Sequence, residues 1–429
     1  MSILATARAV IEAEPVCDSC LGRVFADRSF GLSNAERGRG LRIAVALDDD
    51  EPDKPVDSAE CWVCEGECGR FDEWAEQAVD ALGEPAPEFE TYQVGTKTPP
   101  LIEENDELLR LDAGLSEDAG ELFKSNMNRE VGKRIGRQTG TDVEFGRPDV
   151  QITLDIENDR VEAKLNSAFV YGRYRKLERD IPQTEWPCRE CHGSGYKGKL
   201  ACDYCDGTGY LYPESIEQLT APVVMDVMDG TEATFHGAGR EDVDARMLGT
   251  GRPFVIEIEE PHRRRIDTER LQGDINAFAE GKVEVEGLRL ADYEMVERVK
   301  ELDASKTYRA FVEFEDEVSN EQLQTAIEAL DGARIEQYTP ERVDHRRAGL
   351  TRIRDVLSAD AKLEDARHAV VEIHGEGGLY IKELISGDND RTEPSLAGLL
   401  SVGAVVTDLD VLAVEGVDEP FEREEYFIQ

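Results

Sequence analysis

Two aspartates, Asp242 and Asp244, lie in a glycine- and arginine-rich stretch, residues 236–254, that also holds Arg240, Arg246 and Arg252. A carboxylate in such a setting suits attack on an electrophilic carbon, or stabilisation of a developing cation, provided that a basic neighbour keeps it ionised. Asp242 is the candidate nucleophile. Asp244 is its rival, with the alternative task of fixing the loop through Arg246. The apolar run from Val223 to Met228 precedes the stretch and Phe254 to Ile258 follows it, so the loop is expected to join ordered segments. Loops held in this way carry a large share of catalytic residues.

Eight of the nine cysteines form four Cys-x-x-Cys pairs. In a reducing compartment such pairs are metal ligands more often than disulfides. Cys17, Cys20, Cys61 and Cys64 are the expected first set of four thiolates for a tetrahedral zinc ion, with Cys68 close enough in sequence to compete for the fourth place. Cys188, Cys191, Cys202 and Cys205 form the second set, inside a Cys-x-x-Cys-x-Gly-x-Gly repeat. That repeat resembles the zinc-ribbon repeats of chaperones containing J domains. The sequence has no His-Pro-Asp motif, so a chaperone function does not follow.

With 93 acids against 49 bases the formal charge is −44. The acids are dispersed and 40% of residues are hydrophobic, which argues for folded domains rather than disorder. This pattern resembles the acidic surfaces of proteins from extreme halophiles. At about 1 M salt the Debye length is about 3 Å, so distant carboxylates hardly repel RNA while local arginines still reach it. The bases are in fact clustered. Arg129, Lys133, Arg134 and Arg137 recur at helical spacing, residues 262–265 form a second island, and Arg342, His345, Arg346, Arg347, Arg352 and Arg354 a third. Arginine is the side chain suited to bidentate phosphate contact. No apolar run reaches 18 residues, and Glu12 and Glu14 interrupt the first segment, so a soluble cytoplasmic protein without membrane association is expected. Nothing resembles a heptad array, and a monomer is the expectation.

The elements that must position these groups are legible in part. Helices are expected over 72–82, within 116–138 through Leu122, Phe123, Met127, Val131 and Ile135, and over 320–330; strands are expected at 149–156, 311–315 and 369–374. The expected division is an amino-terminal zinc module at 1–82, an α/β region at 83–182, the cysteine-repeat insert at 183–212 and a mixed-sheet α+β catalytic domain at 213–429.

Three further strings carry a family resemblance. Gly239-Arg240-Glu241-Asp242, Lys306-Thr307-Tyr308-Arg309-Ala310 and Gly378-Leu379-Tyr380-Ile381-Lys382-Glu383-Leu384 resemble the three motifs of pseudouridine synthases, in order. Residues 166–174, 339–347 and 387–395 are similar to the archaeal and eukaryotic tRNA branch called Pus-ten. The resemblance implies a mixed-sheet catalytic domain behind a THUMP-like RNA-binding region. It implies isomerisation of uridine to pseudouridine in the TΨC arm of tRNA, at positions 54 and 55, with no cofactor for catalysis. It makes Asp242 the nucleophile, Lys382 its counter-ion, Tyr308 the stacking platform with a hydroxyl near carbon five, Tyr380 a second substrate contact and Leu384 packing beneath them. Arg240 and Arg252 would steady the loop or bind phosphate. Arg342, Arg346 and Arg347 would grip the tRNA arm in a thumb-like loop, and Lys133 and Arg137 would contact RNA from the THUMP-like region. Two rivals are weighed against this reading. An inert tRNA-binding protein would not need the Asp242, Tyr308 and Lys382 set, and a THUMP-containing thiolase or methyltransferase would need a nucleotide loop that the sequence lacks.

Overall fold

A computed structural model describes residues 2–117, 119–302, 304–341, 349–416 and 421–428. Two compact units emerge, one of residues 1–167 with 260–264 and the other of residues 168–259 with 265–429. Among the described residues no helix is long and apolar enough to cross a membrane.

In the first unit, the helix Phe123–Thr139 buries Phe123, Met127, Val131 and Ile135, the spacing that places side chains on one helix face. That face covers a four-stranded sheet ordered Asp142–Val143, Thr91–Lys97, Val150–Asp155, Arg160–Leu165, in which the first three strands run parallel and the last antiparallel. The parallel step from Thr91–Lys97 to Val150–Asp155 requires a crossover, supplied by Pro100–Asp112 and Phe123–Thr139. The boundary expected at 82/83 falls inside a single core. Leu21, Val63 and Trp74 share one apolar cluster with Val94, Met127 and Ile152. The amino-terminal cysteines and the α/β region therefore fold as one body.

The expected basic helix is also different in character. Arg129 pairs with Glu121 and Glu130, and Arg134 with Glu130 and Asp72. Lys133 lies 3.5 Å from Glu130 and stays half exposed, and Arg137 is exposed. The two residues expected to contact RNA are thus accessible, but their neighbours are committed to local acids.

The second unit is built on a ten-stranded mixed sheet. Its order is Val283–Ala291, Ala168–Lys176, Arg246–Glu259, Ala404–Gly416, Ala304–Phe314, His368–Gly375, Thr351–Asp365, Arg334–Tyr338 and Thr392–Glu393, with Glu232–Gly237 also paired to Arg246–Glu259. Ala404–Gly416 and Arg246–Glu259 run parallel, and every other pairing in this sheet is antiparallel. The strand Ala168–Lys176, expected before the 182/183 boundary, lies well inside this sheet. The division falls at 167/168 because Val170 and Tyr174 belong to the same core as Phe254 and Ile256. The helix expected at 320–330 forms over Asn320–Leu330, opened by a capping box between Ser319 and Gln322.

Candidate active site

The loop 238–245 connects the strands Glu232–Gly237 and Arg246–Glu259. Its position is fixed from beneath by buried charge. The Glu241 side chain is 2% exposed, accepts a hydrogen bond from Arg252 Nε at 2.8 Å and another from the Tyr174 hydroxyl at 3.0 Å. Arg252 Nη1 donates to the Ala238 carbonyl at 2.8 Å. The Arg252 side chain is 1% exposed, and both bonds hold the loop from inside the protein. Lys176, fully buried, donates to the carbonyl oxygens of Ile181 and Val243 at 2.9 Å each and of Asp242 at 3.4 Å. Burial pushes the Lys176 ammonium below its ordinary range, and the nearby Glu241 carboxylate pulls it back. Gln183 completes the cradle by donating to the Gly239 carbonyl at 2.9 Å and to the Tyr174 oxygen at 3.0 Å.

Held in this way, Asp242 presents its carboxylate with 36% of the side chain still exposed. Lys382, at the start of the short helix Ile381–Ser386, brings its ammonium to 3.5 Å from Asp242 and to 2.7 Å from Asp244. The lysine is thus shared, with the shorter contact to the rival acid. Asp244 is not the partner of Arg246, which instead forms a two-pronged bridge to buried Asp410 at 2.9 and 2.7 Å. Arg179 joins that bridge and donates to the Asp244 carbonyl, so the far end of the loop is also anchored.

Tyr308 lies in Ala304–Phe314, partly buried where the two apolar clusters of this unit meet. Burial pushes its phenol up to about 12, with Arg252 opposing and the Asp242 and Glu241 carboxylates adding to the rise. It is a neutral phenol at neutral pH. Tyr380 immediately precedes the Lys382 helix. Buried Gln337 clamps both its backbone groups, accepting from Tyr380 N and donating to Tyr380 O at 2.9 Å each. Leu384 is fully buried in the core below, as expected. Arg240 is exposed and lies over the Trp186 ring, 5.9 Å from its centroid. Arg342, Arg346 and Arg347 lie outside the described residues.

Both cysteine sets assemble. Cys17, Cys20, Cys64 and Cys68 are buried with their sulfurs within 4.8 Å of one another, and so are Cys188, Cys191, Cys202 and Cys205. Sulfur separations of 3.9 Å for Cys17 to Cys64 and 3.8 Å for Cys20 to Cys68 match the edge of a zinc–thiolate tetrahedron, about 3.8 Å for bonds of about 2.3 Å. The residues therefore fit zinc, which would hold these turns together. The single-turn helix Glu67–Gly69 folds the chain back and returns Cys68 to Cys20, so Cys68 joins the four-sulfur group, while Cys61, also buried, lies against Cys17, Cys20 and Cys64. Arg23 donates to Cys20 Sγ at 3.0 Å, as suits a thiolate acceptor. In the second set, Gly195 N and Gly209 N donate to Cys191 and Cys205 sulfurs. Gly195 has φ +73, and a Cβ there would sit 2.4 Å from the Gly207 carbonyl oxygen, so glycine is required. Elemental analysis is expected to find close to two zinc ions per chain. Cys68→Ser should lower the count to one while Cys61→Ser leaves it at two; the reverse pattern would restore Cys61 as the ligand.

The family model described as Pus10, C-terminal, matches residues 169–415, and that of the archaeal Pus10 THUMP domain matches residues 74–155. The tRNA pseudouridine synthase Pus10 of Halorubrum lacusprofundi is 70% identical over 427 residues, covering 100% of each chain. This chain belongs to the Pus10 family. The Pus10 enzyme of Methanothrix thermoacetophila is 42% identical, covering 97% of this chain and 95% of its own. Among solved structures, a crystal structure of a Cbf5-Nop10-Gar1 complex aligns with 49% of this chain and 47% of that one, at 17% identity and a TM-score of 0.30. The Pus10 C-terminal model begins one residue after the second unit does, and the THUMP model begins within the helix Phe71–Asp80, across the boundary expected at 82/83.

Tyr174, Lys176, Gln183, Glu241 and Gln337 had no assigned role in the sequence reading. For Lys176 a signal was present. Val170, Gly172, Tyr174 and Lys176 fall on alternate positions of one strand, and a lysine in the phase of a buried face demands internal partners.

Proposed function

We propose that this chain isomerises uridine to pseudouridine in the TΨC arm of tRNA, at positions 54 and 55, with Asp242 as the nucleophile. The observation that carries the reading is the convergence of Asp242, Lys382 and Tyr308 around a loop whose backbone is pinned by the buried Lys176, Glu241 and Arg252 group. The reaction breaks the N1–C1′ bond, turns the detached uracil and joins its carbon five to C1′, after which the carbon-five proton leaves and N1 takes up a proton. No atom is gained and no oxidation level changes. Asp242 meets the positive charge that develops at C1′, and the Lys382 ammonium lies 3.5 Å from that carboxylate. The Tyr308 ring offers an apolar face to the extruded base. As a neutral phenol it can relay the carbon-five proton only by accepting one while passing on its own. Tyr380, clamped through its backbone, and Arg240 flank the substrate, and Arg342, Arg346 and Arg347 grip the tRNA arm.

Unmodified tRNA carrying tritium at uridine carbon five should release tritium when incubated with the protein alone. Release confined to positions 54 and 55 supports the full reading. Absence of release from any tRNA would refute it. Tyr308→Phe keeps the stacking ring and removes the hydroxyl; turnover is expected to fall about 10²-fold, the lower range for a lost proton-transfer group. An unchanged rate would leave the hydroxyl without a task.

A further inference from the structure

The insert that carries the second cysteine set has a property its metal does not require. Its surface is aromatic and apolar. Tyr196 is 60% exposed, Leu200 76% and Tyr204 48%. Tyr196 and Leu200 stand on the two short strands of one hairpin, Tyr196–Lys197 with Leu200–Ala201, and Arg189 lies over the Tyr204 ring at 4.9 Å. Large side chains are exposed here at a cost in solubility, in a chain otherwise covered with acids. The insert is also less acidic than its surroundings, because Arg189, Lys197 and Lys199 nearly balance its own carboxylates.

The root of the same insert joins the catalytic loop. Gln183 donates to Gly239, Trp186 lies beneath Arg240, and Tyr212 packs edge-on against Trp186 at 5.4 Å. A run of planar groups therefore begins at Arg240, two residues from Asp242, and the same small insert carries further aromatic rings beyond it. Extruding a nucleotide for chemistry unstacks its neighbours, and those bases need a new surface. Aromatic and guanidinium planes supply one without reading sequence.

We propose that the insert is a stacking platform for unpaired nucleotides of the bound RNA flanking the target uridine. This rests on the tRNA reading above. Stacking also suits the charge of the chain. Phosphate contacts weaken as salt rises, whereas stacking does not depend on counterion release. A protein of net charge −44 gains from a contact that is indifferent to both.

The test uses the full chain and an unmodified tRNA transcript. Tyr196→Ala combined with Leu200→Ala should weaken tRNA binding about tenfold in a filter-binding titration, within the range for loss of one stacked base. The factor should be the same in low and in high potassium chloride, and the zinc content should stay that of the unsubstituted protein. Adding Tyr204→Ala should weaken binding further. Unchanged affinity with unchanged zinc would overturn the platform and leave the surface to a protein partner. A loss that vanishes at high salt would also overturn it, since that marks phosphate contact. Tritium release by the unsubstituted protein, measured in parallel, separates failure of the platform from failure of the tRNA reading.

Discussion

Asp242→Asn is expected to slow single-turnover isomerisation by at least about 10³-fold, while Asp244→Asn stays within about tenfold of the unsubstituted rate. Asparagine matches aspartate in shape but places no negative charge against the sugar carbon, and losing a nucleophile costs other enzymes about 10⁴-fold or more. The loop itself should survive the change. Its anchors are the Asp242 and Val243 carbonyl oxygens on Lys176 and the Glu241 carboxylate on Arg252, none of which involves the Asp242 carboxylate. Asp244 makes the shorter contact with Lys382, but its side chain is 60% exposed, and ion pairs of that kind are worth about 1 kcal/mol or less. Rapid-quench measurement of tritium release with enzyme in excess reads the step directly. Should Asp244→Asn be the dead variant and Asp242→Asn the active one, the roles of the two acids exchange.

The two aspartates show how far the sequence alone reaches. That one of them is a candidate for catalysis follows from chemistry: carboxylate, glycines and arginines in one loop. Which partner each would take did not follow, because partner choice is decided by strands far apart in sequence. Asp410, which takes Arg246 away from Asp244, lies 164 residues beyond it, on a strand that pairs in parallel with Arg246–Glu259. Local periodicity found Phe123–Thr139 and Asn320–Leu330 well, since each buries one face at regular spacing. It gave no sheet order, and so it placed the strand Ala168–Lys176 with the preceding region instead of among the catalytic strands. The zinc module is a related case. Four Cys-x-x-Cys pairs are obvious by eye, yet the turn that brings Cys68 in beside Cys17, Cys20 and Cys64 is contained in no spacing rule.

The same distinction separates the residues that could be named from those that could not. Asp242, Tyr308 and Lys382 are partly exposed polar groups, and their types announce chemistry. Lys176 and Gln337 touch only backbone among the hydrogen bonds they make here, so even where strand phase marks Lys176 as buried, which groups it holds is not legible until the loop is known. Buried polar groups of this kind are retained because every donor has an acceptor, and one missing partner is costly.

Lys176→Met should therefore behave as an active-site variant although Lys176 lies beneath the site. Methionine has nearly the length of lysine and fills its channel, but the carbonyl oxygens of Ile181, Asp242 and Val243 lose their shared donor. Removing one side of a buried charged network costs about 3 kcal/mol or more, so the melting temperature should fall. Turnover should fall further than stability explains, by about 10²-fold, because a displacement of about 1 Å in a reacting group is enough to cost that much. The tRNA concentration for half-maximal rate should change little, since Lys176 is fully buried and offers no surface to RNA. Leu323→Ala supplies the control: it empties a fully buried site in the Asn320–Leu330 helix at a cost of about 2–5 kcal/mol. At a temperature where both variants are folded, Leu323→Ala should isomerise uridine at nearly the full rate and Lys176→Met should not. Equal rates in the two variants would reduce Lys176 to a stabilising residue, with the loop held by Glu241, Arg252, Gln183 and Arg179.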